Sequence, residues 1–323
     1  MIKQYFPPIA KMLFFIMVIL HTSCAENVAV FREEPPGIKY IHGVSNLRFT
    51  ENCPEMDGAT ALYPLYLSAF NNVCNMGSAY YLGSHLHNSR TPEAWNNIIS
   101  GNVDIIFVAQ PSEQQKKYIQ DKNIKLKYTP FAREAFVFIV NANNPVQSLT
   151  TNQIRDIFSG KVTRWSSVGG DYKSIQAWQR PEGSGSQTIM LAKVMQGVPL
   201  LPRKEKQIKV ATLMGTMIEN IAEYQNTRGA IGYTFRYYAT QMNTNKDIKL
   251  LAINGIEPTE ENIRNGTYPF IVEAFMVTRE NPTTETQQFV DWVLSPQGQQ
   301  LVQDVGYVPL YPIMNSFKKN VEK

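Results

Sequence analysis

Apolar positions along this chain follow two alternating rhythms. Leu62, Leu65, Tyr66, Ala69 and Phe70 recur at the spacing of one helix face and predict an amphipathic helix. Trp95, Ile98 and Ile99 repeat that spacing more briefly. Val103 to Val108 is a short apolar run of strand length, and Ala135 to Val140, rich in Phe, Val and Ile, is another. Thr150 and Gln153 form a capping box ahead of a helix over Ile154 to Phe158, which Gly160 stops. A strand over Ser174 to Trp178 precedes a helix through Ile189 to Met195. Thr284 and Gln287 open a later helix, with Phe289, Trp292 and Val293 on one side. Strand and helix patterns that alternate without a repeat period predict α/β layers over a mostly parallel sheet.

The first residues follow a different rule. Met12 to Leu20 is an unbroken apolar run behind Lys3 and Lys11. It is too short to span a bilayer and has the length of a secretory signal's apolar region. It ends in Leu20-His21-Thr22-Ser23-Cys24, where small residues before a cysteine are similar to a bacterial lipoprotein cleavage site. That similarity makes residues 1–23 a signal peptide and Cys24 the lipidated first residue. His21 departs from the pattern, which usually has a large aliphatic there. Residues 24–41, with Glu33-Glu34-Pro35-Pro36-Gly37 and little periodicity, read as a tether, and folded structure is expected from His42. Cys53 and Cys74 then form an even pair in an oxidising compartment, where a disulfide and two buried free thiols both remain open.

Composition narrows the function without naming it. The 323 residues, 43% apolar and 18% charged, suffice for a packed core. The formal charge of +4 includes Lys3 and Lys11, there is no long basic run, and nothing calls for nucleic acid as a partner. The four tryptophans, Trp95, Trp165, Trp178 and Trp292, are expected in the core. No nucleophile elbow, Walker loop or dinucleotide fingerprint occurs. His42, His85 and His87 have no setting that suggests a hydrolase, and His85-x-His87 alone is too few ligands for a metal site. The reading is of a non-enzyme without cofactor or metal.

The informative chemistry lies in Arg180-Pro181-Glu182-Gly183-Ser184-Gly185-Ser186-Gln187-Thr188, between a predicted strand and a predicted helix. Such a turn exposes backbone N–H groups that lack intrahelical acceptors, at the positive end of a helix dipole. Ser184 and Ser186 add hydroxyl donors, Gly185 permits close approach, and Arg180 offers a planar fork, which Glu182 could orient by pairing with it. Two further hydroxyl-bearing helix entrances are Asp57-Gly58-Ala59-Thr60, with Thr60 placed as a cap, and Ser89-Arg90-Thr91-Pro92, with Thr91 as cap and Pro92 as first helical residue. Plain capping explains each one singly. Together they suggest convergence on one anion.

From Met56 to Leu310 the chain resembles the substrate-binding proteins of phosphate ABC importers, which have the type II periplasmic-binding-protein fold. The likeness rests on Val140-Asn141-Ala142-Asn143-Asn144-Pro145-Val146, Leu149 to Lys161 with Trp165, the Arg180 to Thr188 segment, and Gly229-Ala230-Ile231-Gly232-Tyr233. It continues through Ile253 to Thr259, Gly266-Thr267-Tyr268-Pro269, Leu294 to Gln299, and Gly306-Tyr307-Val308-Pro309-Leu310. The resemblance implies two α/β lobes, each a mostly parallel sheet flanked by helices, joined by crossover strands. Lobe 1 would comprise residues 42–130 and 237–323, and lobe 2 residues 131–236. It also implies a ligand held in the cleft by Thr60 with its neighbours Ala59 and Ala61, by Ser89, Arg90 and Thr91, and by Arg180, Ser184, Gly185 and Ser186. The implied protein is a monomeric, membrane-anchored lipoprotein of the cell envelope, in the periplasm or at the cell surface, that passes phosphate or a similar oxyanion to a permease.

One departure bears on the ligand. After the strand ending at Val108 the family often has a Ser-Asp or Ser-Arg pair, whose aspartate accepts the proton of a protonated phosphate. Here the chain reads Ala109-Gln110-Pro111-Ser112-Glu113. Asp57 or another carboxylate would have to replace that acceptor. Phosphate leads, with another oxyanion, a phosphorylated compound or no tight ligand as alternatives. A lipoprotein sensor or interaction module with the same fold is the alternative to transport.

Overall fold

The fold was obtained as a computed structural model, which describes residues 42–43, 45–74, 84–203, 206, 208–223 and 228–314. The expected signal peptide (residues 1–23), Cys24 and the expected tether lie outside the described residues. The chain begins with β1 (Met56–Gly58), α1 (Tyr63–Val73), α2 (Arg90–Ser100), β2 (Ile105–Val108) and α3 (Glu113–Asp121). The long strand β3 (Leu126–Asn141) follows, then β4 (Ser148–Leu149) and α4 (Thr151–Phe158). Next come β5 (Gln176–Gln179), α5 (Gly185–Ile189), β6 (Ile208–Val210), α6 (Met214–Glu223) and β7 (Ala230–Phe235). The described chain closes with β8 (Ile248–Leu250), β9 (Ala252–Ile253), α7 (Glu260–Arg264), β10 (Ile271–Arg279), α8 (Thr284–Leu294), α9 (Pro296–Val305) and β11 (Val308–Pro309).

One strand organises the molecule. The first part of β3, Leu126 to Ala135, pairs antiparallel with β10, and from Phe136 onward β3 pairs instead with β7 and β8. The sheet therefore runs β1-β2-β10-β3-β7-β5-β6 and divides at the partner change into two half-sheets, one for each lobe. Within this sheet, parallel pairing is confined to β1 with β2 in one half and β5 with β6 and β7 in the other; β4 and β9 form a separate parallel pair. The expectation of mostly parallel sheets thus holds outside and fails at the centre. There β10 and β7 run back against β3, the strand common to both halves, so that pairing is antiparallel.

The two halves of β3 explain why only one was legible. Residues Ala135 to Val140 are buried on both faces and read as a continuous apolar run, whereas Leu126 to Pro130 are partly or fully exposed and interrupted by Lys127. Pro130 looks like a strand breaker but sits at a bulge. Ala132 faces Ala274 and Pro130 faces Phe275, leaving Phe131 as the extra residue. A bulge tolerates a residue without an N–H donor. Phe131 turns into the core against Phe107, while Phe136, Phe138, Phe158, Tyr233 and Phe270 form an aromatic cluster further along. Burial of each such ring contributes roughly 1.5–3 kcal/mol.

Local signals set several helix ends. The Thr150/Gln153 capping box is formed on both sides, and Gly160 follows α4 in the left-handed region. The α8 cap is Thr283, one residue before the expected one, accepting from the Thr286 N–H. The expected helix through Ile189 to Met195 begins earlier, at Gly185, and ends in a single π turn from Met190 to Met195. Cys53 and Cys74 are joined by a disulfide that ties the approach to β1 to the end of α1. Trp95, Trp165, Trp178 and Trp292 are all buried. Among the described residues, no helix is long and apolar enough to cross a membrane.

Candidate functional site

The cleft between the half-sheets has a volume of about 480 Å³. On the lobe 2 side its floor is the turn from β5 into α5. Ser184 caps α5 by accepting from the Gln187 N–H at 3.3 Å, which leaves its own hydroxyl hydrogen free to donate. The N–H groups of Gly185 and Ser186 occupy the first helical positions, where no intrahelical acceptor exists. Ser186 Oγ is buried without a hydrogen-bond partner among the described residues.

Arg180 is held from behind. Its backbone N–H donates to Tyr233 Oη at 2.9 Å and Gln187 Oε1 at 3.1 Å, and its carbonyl accepts from Arg203 at 2.8 Å. One guanidinium nitrogen, Nη1, donates to the Ala211 carbonyl at 2.8 Å. Nε, by contrast, is buried with no partner among the described residues. Burial pushes the Arg180 pKa down to about 10, and the nearby positive charge of Arg90 adds to the shift. The group stays charged at neutral pH, desolvated and short of an anion. Leaving a buried donor unsatisfied costs about 1–3 kcal/mol, which an incoming oxyanion would recover. Glu182, expected to orient Arg180, is exposed and makes no ion pair with it among the described residues.

The lobe 1 wall rests on Asp57. This carboxylate is fully buried, and its oxygens accept from the Gly58 N–H (2.7 Å), the Ser89 N–H (2.8 Å) and Asn97 Nδ2 (2.8 Å). It thereby pins the turn that enters α2 against β1. Asp57 is engaged in this way and is not among the residues that line the cleft. Gly58 is needed beside it, because a Cβ there would lie 2.6 Å from the Phe107 carbonyl. That close approach lets the Ala59 N–H donate to the same carbonyl at 2.8 Å.

The entrance to α2 differs from expectation. The helix starts at Arg90, not Pro92, and neither Ser89 nor Thr91 caps it with a side chain. Arg90 takes a φ of 73°, which is costly for a residue with a Cβ. The strained turn places Arg90, half-exposed and 3.5 Å from Glu93, in the cleft wall. Thr60 likewise caps nothing. It opens a 3-10 turn, Thr60–Leu62, ahead of α1, with Ala59 as an extended residue before it.

Eight of the ten expected residues come together. Ala59, Thr60, Arg90, Thr91, Arg180, Ser184, Gly185 and Ser186 all line the cleft. Ala61 does not; it lies in a small pocket below, and its carbonyl accepts from the Tyr307 hydroxyl. Ser89 is turned to Asp57 through its backbone and is not among the lining residues. The lobes touch at the cleft floor. A Cβ on Gly185 would be 3.0 Å from Thr91 Oγ1, and Gln115 Nε2 donates to the Gly183 carbonyl at 3.2 Å. Ala109 lines the lower pocket together with Glu134.

Sequence reasoning missed a fourth wall. Thr212, Leu213, Met214, Gly215 and Thr216, at the start of α6, line the cleft with Glu219, Phe235 and Tyr238. The signal was present, since Thr212 and Gly215 flank the first turn of a helix, as at the other entrances. Glu93 was missed as well. Its Oε2 is buried without a hydrogen-bond partner among the described residues. Among those residues, no group of three or more His, Cys, Asp or Glu side chains could hold a metal ion.

Two half-sheets joined by a shared strand, with helix entrances facing a cleft that holds desolvated donors, define a two-lobe binding protein. The chain belongs to the PBP superfamily, whose domain model matches residues 56–297. Among curated proteins it is similar to the phosphate-binding protein PstS of Staphylococcus epidermidis, 27% identical over 227 residues that cover 68% of this chain and 67% of that one. Two solved structures share the fold. One, from Clostridium perfringens, is described as a phosphate ABC transporter substrate-binding protein with bound phosphate. It has a TM-score of 0.64 at 22% identity and covers 80% of this chain and 100% of its own. The other, an ABC-type phosphate transport receptor from Vibrio cholerae, has a TM-score of 0.58 at 19% identity, covering 79% and 98%.

Proposed function

We propose that this protein captures inorganic phosphate in the interlobe cleft, outside the cytoplasm, and delivers it to an ABC importer. The observation that carries the reading is the pair of buried donors at the cleft-lining Arg180 and Ser186, Nε and Oγ, which have no hydrogen-bond partner among the described residues. The names of the relatives point to the same ligand and to transport rather than catalysis. Capture exchanges the anion's water shell for charge-assisted hydrogen bonds from Arg180, Arg90, Ser184 and the first N–H groups of α5. The lobes are taken as residues 42–130 with 237–323, and 131–236, closing about β3 and the segment after β7. Such closure would bury the anion and create the form that a permease reads. We further read Cys24 as a lipid anchor that holds a monomer at the membrane.

Selectivity needs an acceptor. Phosphate at neutral pH carries a P–OH that sulfate lacks, and a carboxylate facing the ligand rewards the first and repels the second. With Ala109 where the family often has aspartate, we propose that Glu93 takes that place. Its side chain is half-exposed and paired with Arg90 through Oε1, while Oε2 is buried without a hydrogen-bond partner among the described residues. Calorimetric titration of the fragment from Ala25 onward, unfolded and refolded to strip any ligand, tests the reading. Phosphate is expected to bind tightly, with a hundredfold excess of sulfate failing to compete. No phosphate binding, or equal competition by sulfate, would refute it.

A further inference from the structure

One contact between the two half-sheets is made by a side chain outside the proposed site. Gln115 lies in α3, which follows β2 of one half-sheet. Its Nε2 donates at 3.2 Å to the carbonyl of Gly183, in the turn that follows β5 of the other. The same amide has a second task. Ser112 caps α3 by accepting from the Gln115 N–H at 3.2 Å, and Gln115 Oε1 accepts in return from the Ser112 N–H at 2.8 Å. This capping box fixes which way the amide faces. With the oxygen held by an N–H, the nitrogen is left for a carbonyl. The reverse orientation would set donor against donor at Ser112 and acceptor against acceptor at Gly183. Because the cap already orders the side chain, the bond to Gly183 costs little further conformational entropy.

Gly183 is a sensitive place to hold. It is buried, takes a φ of 79°, and immediately precedes Ser184, the cap of α5, and so the free N–H groups of Gly185 and Ser186. The two ends of the bond belong to different half-sheets, so opening the cleft would part them. We infer that Gln115 is a latch: a positioning residue, not among those that line the cleft, that holds the anion turn in the closed form and slows release of the anion. This rests on the anion reading of that turn and adds to it a residue from across the cleft. A neutral amide–carbonyl bond made only in the closed form shifts the closed-to-open ratio by roughly threefold to tenfold. Its loss is felt in the dissociation rate, because a buried anion leaves only after the lobes part.

The test follows release of radiolabelled phosphate from the refolded protein, chased with excess unlabelled phosphate. Gln115→Met removes the amide and adds no charge, and is expected to release phosphate about threefold to tenfold faster than the wild type. Gln115→Glu keeps an oxygen for the Ser112 N–H but has no donor for Gly183, and should release at least as fast. Ser112→Ala is the control for the structure of α3. It removes the hydroxyl cap but leaves Gln115 Oε1 its bond to the Ser112 N–H, so it should lower the melting temperature while release stays within about twofold of wild type. If either Gln115 variant releases within about twofold of wild type, or if Ser112→Ala speeds release as much as Gln115→Met, the latch is wrong and the anion site stands. If the wild type binds no phosphate, the anion reading has failed and the latch falls with it.

Discussion

Replacing Arg180 by alanine is expected to weaken phosphate binding by about a hundredfold to a few thousandfold. Arg180 is 7% exposed, and its unpartnered Nε lies in the cleft floor. Removing one partner of a buried, hydrogen-bonded charge pair costs about 3–5 kcal/mol, because the other charge is left uncompensated. At 1.4 kcal/mol per tenfold, that gives the stated loss. The backbone of residue 180 keeps its bonds to Tyr233, Gln187 and Arg203, so the turn itself should persist. Only the link from Nη1 to the Ala211 carbonyl is lost from the fold. Arg180→Lys keeps a positive charge but not the planar fork, and should fall between the wild type and Arg180→Ala. Titration calorimetry beside a thermal melt checks this. An affinity within threefold of wild type for Arg180→Ala would remove Arg180 from the site.

The second large effect concerns stability and pH. Glu134 lies on β3 just before the partner change, buried, with Oε1 accepting from the Ala135 N–H at 2.7 Å and Oε2 from the Tyr237 N–H at 3.0 Å. It thus links the two segments that connect the lobes. Burial pushes its pKa up to about 7 from an ordinary 4.5. The two N–H bonds and Arg236 oppose the shift, and Glu260 adds to it. The folded value is raised, so the stabilising contribution is fully present below about pH 4.5. It declines as the unfolded chain releases its proton first, and is lost as pH rises through 7. At 1.36 kcal/mol per pH unit, this amounts to about 2–3 kcal/mol between pH 5 and pH 8. Glu134→Gln is neutral throughout and should remove that part of the slope. Urea unfolding of both proteins at the two pH values measures it. Parallel pH profiles would show that Glu134 is ionised in the fold.

How much of this was readable in the sequence depended on whether the deciding interaction was local. The Thr150/Gln153 capping box, the α1 and α2 apolar faces and the Ser184 to Ser186 helix entrance were legible because each is settled within one or two turns of chain. The exposed half of β3 was not, because its pairing with β10 joins residues more than a hundred positions apart and its Pro130 is excused only by a bulge. Asp57 looked like a candidate acceptor for the ligand. Its true partners, the Ser89 N–H and Asn97, are 32 and 40 residues away. Thr60 and Thr91 carried the hydroxyl expected of a cap. Both line the cleft without capping, since a 3-10 turn precedes α1 and α2 begins at Arg90, with no side-chain cap at its entrance. Glu93 and Glu219 carried no local mark that would place them at the cleft, which both line.

Both lobes are proposed to close on one anion, held by Arg180 and Ser186 from one side and Arg90 from the other. A crystal structure of the stripped protein grown with phosphate tests it most directly. One tetrahedral anion is expected within hydrogen-bond distance of Arg180 Nε, Ser186 Oγ and the first N–H groups of α5, with the Arg90 guanidinium turned onto it. Phosphate seated elsewhere, or held in the cleft without contact to Arg180, would contradict it.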